Sequence, residues 1–177
     1  VRQIWVEMGL PAVNLGTTGV EGAWAAPLAH TTPEPITLHR TLAEAAQNGI
    51  THAAMEASSH GLDQCRLDGV QLAAAGFTNF TQDHLDYHGS MDDYFAAKRQ
   101  LFVGHDIEAA LINIDDDYGR RLATDTAVTA DIITYGQSEQ ALVRYSAVQM
   151  QARGMQAWLD TPWGSGLLVL PLIGEFN

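Results

Sequence analysis

From residue 12 to residue 135, short apolar runs alternate with helix-forming stretches, and nothing else in the chain limits its fold as strongly. The runs at residues 12–15, 50–55, 72–77, 109–114 and 131–135 are of strand length. Between them, residues 38–47, 61–68, 117–125 and the stretch opening at Gly89-Ser90 read as helices. Such alternation predicts a mostly parallel sheet with flanking helices, because parallel strands need covered crossovers. Punctuation supports this reading. Gly16-Thr17-Thr18-Gly19 is a turn, residues 20–36 with Gly22, Pro27, Pro33 and Pro35 read as loop, and Asn48-Gly49 ends a helix that Thr37 can cap. Residues 1–10 read as the end of a helix. After residue 135 the pattern changes: residues 142–150, 155–159 and 166–172 have no helices between them, and Thr161-Pro162-Trp163-Gly164 is a turn. The predicted class is therefore α/β, with a small antiparallel sheet in the C-terminal third.

Charge and cysteine usage narrow the function classes. The 177 residues suffice for one domain with a core, and a net charge of −12 argues against a broad nucleic-acid surface. One cysteine, Cys65, cannot form an internal disulfide, which fits a reducing compartment. No apolar run approaches membrane-span length. The start, VRQIWVEMGL, lacks the pattern of a signal peptide, so a cytoplasmic location without membrane insertion is expected. The first residue is not Met and the last residues close no obvious element, so the chain reads as a piece of a longer protein.

Chemistry-bearing residues gather just after apolar runs. In an open α/β sheet, ligands bind beyond the carboxyl ends of the strands. Glu56 follows one run and is itself followed by Ser58, Ser59 and His60. A carboxylate there suits Mg2+, which takes oxygen ligands, or is simply a solvated strand-end acid. Thr78-Asn79 ends the next run, and Glu56 and Asn79 are expected at one sheet edge. Beyond it lies a polar loop with Asp83, His84, Asp86 and His88, then Ser90 as a helix cap with Asp93 three residues on. Histidines four apart suit zinc on a helix, but the Gly89-Ser90 helix start places this pair in a loop. Lys98, the only lysine, lies on that helix; unaided, it is a surface lysine. Arg66 with Gln64 and Ser58 suits carboxylate or phosphate recognition, or is ordinary surface polarity. Asp115-Asp116-Asp117 resembles a metal cluster, but helix capping is the favoured reading. A phosphate loop of the GxxxxGK[ST] type is absent from these residues.

Three stretches carry a resemblance: AMEASSHGLDQCRLDG at residues 54–69, FTNFTQDHLDYHGSMDDYFAAK at residues 77–98, and LIGEFN at residues 172–177. They resemble the central domain of the Mur ligases, a P-loop-NTPase-like fold, most closely the MurE type. The resemblance implies an ATP- and Mg2+-dependent ligase of peptidoglycan precursor synthesis. In that family an acyl phosphate forms on the carboxylate of UDP-N-acetylmuramoyl-L-alanyl-D-glutamate and is attacked by an amino acid, meso-diaminopimelate or L-lysine. It implies that Thr31, Thr32, Ser58, Gln64 and Arg66 contact the sugar-nucleotide substrate, and that Glu56 and His84 bind Mg2+. It further implies that Lys98 is carbamylated and helps hold a second Mg2+, and that Asn177 lies near the adenine. Carbamylation is chemically reasonable, since burial favours the neutral amine that adds CO2. His30 departs from the asparagine that some relatives carry before the threonine pair. The family's phosphate loop, N-terminal UDP-binding domain and C-terminal domain are expected outside residues 1–177, so this piece alone is expected to be inactive. Two rival readings remain: a sugar-nucleotide-binding module without turnover, and a metal-dependent hydrolase built on His60, His84 and His88.

Overall fold

A computed structural model describes residues 1–83, 85–152 and 154–171. The chain divides into two compact units, one formed by residues 1–71 and 84–101, the other by residues 72–83 and 102–177.

The first unit opens with α1 (Arg2–Glu7). Strand β1 (Ala12–Gly16) then turns at Thr17-Thr18 into β2 (Gly19–Gly22), and the two pair antiparallel. This hairpin replaces the loop expected from residue 20. The glycines and prolines of residues 20–36 masked a four-residue strand with too few side chains to show a period. Helix α2 (Pro35–Gln47) starts two residues before the predicted cap Thr37, with Pro35 in its first turn and Glu34 as N-cap. Proline suits that position because its missing N–H would be unpaired there anyway. Leu38, Thr41 and Ala45 are its buried face, spaced three and four apart as one helical stripe requires. Strand β3 (His52–Met55) runs parallel to β1 in the order β2-β1-β3, with Leu15 opposite Met55. The carboxyl ends of β1 and β3 therefore lie side by side. Helix α3 (Ser59–Asp63) follows, and α4 (Leu85–His88) is one helical turn where a loop was expected. Helix α5 (Met91–Val103) completes the unit with its residues up to Leu101. Ser90 Oγ accepts from the Asp93 amide at 3.1 Å, as the sequence pattern predicted.

In the second unit, β4 (Ala74–Phe77), β5 (Ala109–Asn113) and β6 (Asp131–Gly136) pair in parallel. Strand β7 (Val143–Gln151) adds to β6 in parallel, and β8 (Gly154–Thr161) and β9 (Gly164–Leu170) extend the sheet antiparallel. The C-terminal strands are thus continuous with the parallel ones, in the order β4-β5-β6-β7-β8-β9. The core includes Phe77, Phe80, Phe102, Ala110, Ile112 and Leu122, with the Phe77 ring 5.9 Å from Phe80 and 6.2 Å from Phe102. Helix α6 (Asp117–Ala123) is capped by Asp116, whose Oδ1 accepts from the Gly119 amide at 2.7 Å. Asp115 instead accepts from the Gln137 and Ser138 amides, fastening the β6–β7 connection. Asp117 pairs with Arg120 at 2.6 Å. The acidic triplet thus does structural work, in line with the capping reading.

One mostly parallel sheet was expected from residue 12 to residue 135. The described strands form two sheets, and Glu56 and Asn79 fall in different units, each following a strand of its own sheet.

Candidate functional site

The first unit gathers Thr32, Ser58, Gln64 and Arg66 beyond the carboxyl ends of β1 and β3. Thr32 is the hub. Its side chain is 2% exposed, and its Oγ1 donates to the Glu56 carbonyl at 2.9 Å while accepting from the Ser58 amide at 2.9 Å. Both backbone groups lie just past β3, outside its ladder, so one hydroxyl satisfies a donor and an acceptor that the sheet leaves open. Ser58 then caps α3, its Oγ accepting from the Gly61 amide at 3.1 Å. Gly61 is required by this packing: a Cβ there would sit 2.6 Å from Thr32 Cγ2 and 2.8 Å from Thr32 Cβ. The Ser-Ser-His-Gly run thus encodes a cap and a gap for Thr32.

Helix α3 ends in a Schellman motif. The Arg66 amide donates to the Gly61 carbonyl at 2.8 Å and the Cys65 amide to the Leu62 carbonyl at 3.0 Å. Cys65 holds the left-handed position at φ 56°, where glycine is usual. This reversal brings the side chains of Gln64 and Arg66 together although only two residues separate them. Arg66 donates to Gln64 Oε1 from Nε at 3.0 Å and from Nη2 at 2.6 Å, and from Nη1 to the Thr32 carbonyl at 2.9 Å. A guanidinium has five N–H groups. Among the described residues, one on Nη1 and one on Nη2 remain for an anionic ligand.

Thr31 sits beside the hub, its Oγ1 2.9 Å from Thr17 Oγ1 in the β1–β2 turn. The Gly-Thr-Thr-Gly stretch, weighed in the sequence only as a failed phosphate loop, thus contributes Thr17 to the site. Glu56 is exposed, and its side chain lines a cavity of about 300 Å3 with Arg2, Asn14, Leu15 and Met55. A Cβ on Gly16 would collide with Glu56 Oε1, so that glycine lets the carboxylate lie across the end of β1.

The remaining histidines and Lys98 follow a line of rings. His60 lies 4.0 Å from the Tyr87 ring and 5.6 Å from His88, and His88 lies 5.3 Å from Tyr94. Lys98, half-buried rather than fully exposed, places Nζ 5.2 Å from the Tyr94 ring centroid. No group of three or more His, Cys, Asp or Glu side chains able to hold a metal occurs among the described residues. His84 and Asn177 lie outside the described residues. Tyr87 and Asp63 escaped sequence reasoning: Tyr87 Oη accepts from Gln64 Nε2 at 3.2 Å and donates to Asp63 Oδ2 at 2.7 Å. No spacing rule links residues 63 and 87; only the placement of α4 against α3 does.

Together these features define an α/β protein with a guanidinium-centred polar cluster at the strand ends of its first unit. Residues 1–177 match the Mur ligase middle domain, and the chain belongs to that family. It is 43% identical over 175 residues to UDP-N-acetylmuramoyl-L-alanyl-D-glutamate–2,6-diaminopimelate ligase of Neisseria meningitidis serogroup A, a match covering 96% of this chain and 35% of that protein. The ligase of the same name from Brucella melitensis biotype 1 is 49% identical over 182 residues, covering 99% of this chain and 37% of that one. A solved structure, also of a protein of that name, superposes with a TM-score of 0.86 at 31% identity over 99% of this chain and 37% of its own. The chain thus spans little more than a third of the length of the curated relatives it matches. No helix among the described residues is long and apolar enough to cross a membrane.

Proposed function

We propose that residues 1–177 are the central domain of a cytoplasmic, ATP-dependent ligase. Its reaction joins 2,6-diaminopimelate to UDP-N-acetylmuramoyl-L-alanyl-D-glutamate in peptidoglycan precursor synthesis. The observation that carries this reading is the family match over the whole chain, with relatives of that printed name at 43% and 49% identity. The relatives' names favour diaminopimelate over L-lysine. The flanking domains and the phosphate loop would lie outside these residues.

In this reading ATP phosphorylates the terminal carboxylate of the dipeptide. The amine of the incoming amino acid then attacks the acyl phosphate, forming the amide bond and releasing phosphate and the surplus proton. The chain's residues act by positioning and by offsetting charge. Arg66, oriented by Gln64 and the Thr32 carbonyl, offers two N–H groups to an anionic part of the sugar nucleotide. Thr31 and Ser58 present hydroxyls beside it. Thr32 works differently: buried and bonded on both sides, it holds the Glu56–Ser58 backbone in place.

Mg2+ fits the donor set, since Glu56 offers carboxylate oxygens at a cavity, the ligand type this cation takes. Bound there, it would neutralise charge on the transferring phosphoryl group. Glu56 and His84 are its proposed protein ligands, and the carbamate of Lys98 would help hold a second Mg2+. That carbamate forms when the neutral ε-amine adds to the carbon of CO2 and gives up a proton.

Lys98→Ala in the full-length protein tests this role. Turnover should fall about 100-fold or more, as for loss of one transition-state stabiliser. A small carboxylic acid should restore part of it and an amine none. Full activity of Lys98→Ala at saturating Mg2+ would reduce Lys98 to a surface lysine. The hydrolase reading gains nothing from His60 and His88, whose rings pack against Tyr87 and Tyr94.

A further inference from the structure

Tyr87 stands at a junction that the substrate-site residues alone do not explain. Arginine has only donors, so the Gln64 atom facing Arg66 Nε and Nη2 must be the amide oxygen. That assignment fixes the rest. Gln64 Nε2 must donate to Tyr87 Oη at 3.2 Å, and Tyr87 must pass its own hydrogen to Asp63 Oδ2 at 2.7 Å. An ionised carboxylate only accepts, so the chain from Asp63 through Tyr87 and Gln64 to Arg66 has one proton arrangement. Every link donates the same way, from the positive guanidinium of Arg66 toward the carboxylate of Asp63. The phenol ring is also held, 4.0 Å from the His60 ring and 4.8 Å from His88.

We propose that Tyr87 and Asp63 are positioning residues: they lock the Gln64 amide in the orientation that aims the Arg66 guanidinium. Without the phenol hydroxyl, Gln64 can turn its NH2 toward Arg66, setting donor against donor and releasing the guanidinium from its geometry. The consequence falls on the ligand that Arg66 contacts. This rests on the reading of the cluster as the sugar-nucleotide site, but the locking itself does not.

Two experiments separate the claims. In the full-length protein, the Arg66 Nε–H signal is followed by NMR for solvent exchange. Tyr87→Phe keeps the ring and removes the hydroxyl; it should speed that exchange about 5- to 10-fold, the equivalent of one net hydrogen bond. Asp63→Ala should do the same, whereas Asp63→Asn keeps an acceptor oxygen and should stay near wild type. In the full-length enzyme, Tyr87→Phe should raise KM for UDP-N-acetylmuramoyl-L-alanyl-D-glutamate about 5-fold and leave KM for ATP unchanged. Unaltered Arg66 exchange in Tyr87→Phe would overturn the proposal, as would equal rises in both KM values. Faster exchange combined with a wild-type enzyme that does not ligate would uphold the locking and sink the functional reading instead.

Discussion

Thr32→Val isolates the hub hydroxyl, because valine keeps the shape and replaces only the oxygen. The structure gives the loss directly. Two hydrogen bonds disappear, one to the Glu56 carbonyl and one from the Ser58 amide, both at 2.9 Å, around a side chain that is 2% exposed. Each bond contributes about 1 kcal/mol net, and a buried partner left unpaired costs about 1–3 kcal/mol. A total of roughly 2–3 kcal/mol is expected, since Ser58 and Glu56 can recover part of the loss from water. For a chain of this size that is a fall in Tm of roughly 8 °C, at about 2–4 °C per kcal/mol. Thr32→Ser is the control: it keeps the oxygen and loses one methyl, at about 1 kcal/mol. Urea unfolding of the three proteins ranks them. The expected order is wild type, Ser, then Val. If Val proves as stable as Ser or more so, the hydroxyl is not holding the Glu56–Ser58 backbone, and the account of the hub fails.

Other perturbations have equally definite outcomes. Gly61→Ala, which would gain about 1 kcal/mol in an open helix, should instead destabilise by about 1–3 kcal/mol in urea unfolding, because the new Cβ meets Thr32. Cys65→Gly should stabilise by about 0.5–1 kcal/mol in the same assay by relieving the left-handed conformation at φ 56°. Burial, and then the charge of neighbouring groups including Asp115, pushes the Tyr135 and Tyr145 phenols above their ordinary value of 10.0. A raised folded pKa gives stability that is complete below pH 10 and lost as pH rises through the folded value. An absorbance titration should therefore show these two ionising after exposed tyrosines, with unfolding easier above about pH 10. ATP mixed with Mg2+ and the 177-residue chain should release phosphate only at background rate, since these residues contain no phosphate loop; turnover that scales with chain concentration and survives repurification would contradict this.

Much of the fold was written in local pattern. The strand runs at residues 109–114 and 131–135, the helix behind Ser90 and the cap at Asp116 all follow from apolar period and capping chemistry. What failed to show was long-range or weakly patterned. Strand β2 has four residues, two of them glycine, so no alternation marks it. The break into two sheets depends on which edges pair, and pairing partners leave no trace in a single strand's composition. At the site, Ser58, Gln64 and Arg66 were visible as a polar group near a strand end. That Arg66 and Gln64 bond each other required the left-handed turn at Cys65, a position whose usual glycine signal is absent. Thr32 stood in the sequence as a substrate contact; its bonds to the Glu56 carbonyl and the Ser58 amide, a backbone-clamping role, left no sign there. Tyr87 and Asp63 were silent because their meeting is tertiary.

Product analysis of the full-length protein tests the central claim most directly. It would be incubated with UDP-N-acetylmuramoyl-L-alanyl-D-glutamate, ATP and Mg2+, with either meso-diaminopimelate or L-lysine, and the nucleotide product weighed by mass spectrometry. The account predicts a tripeptide product with diaminopimelate, formed together with ADP and phosphate, and little or none with L-lysine. ADP release with no gain of mass on the nucleotide, or no reaction with either amino acid, would contradict it.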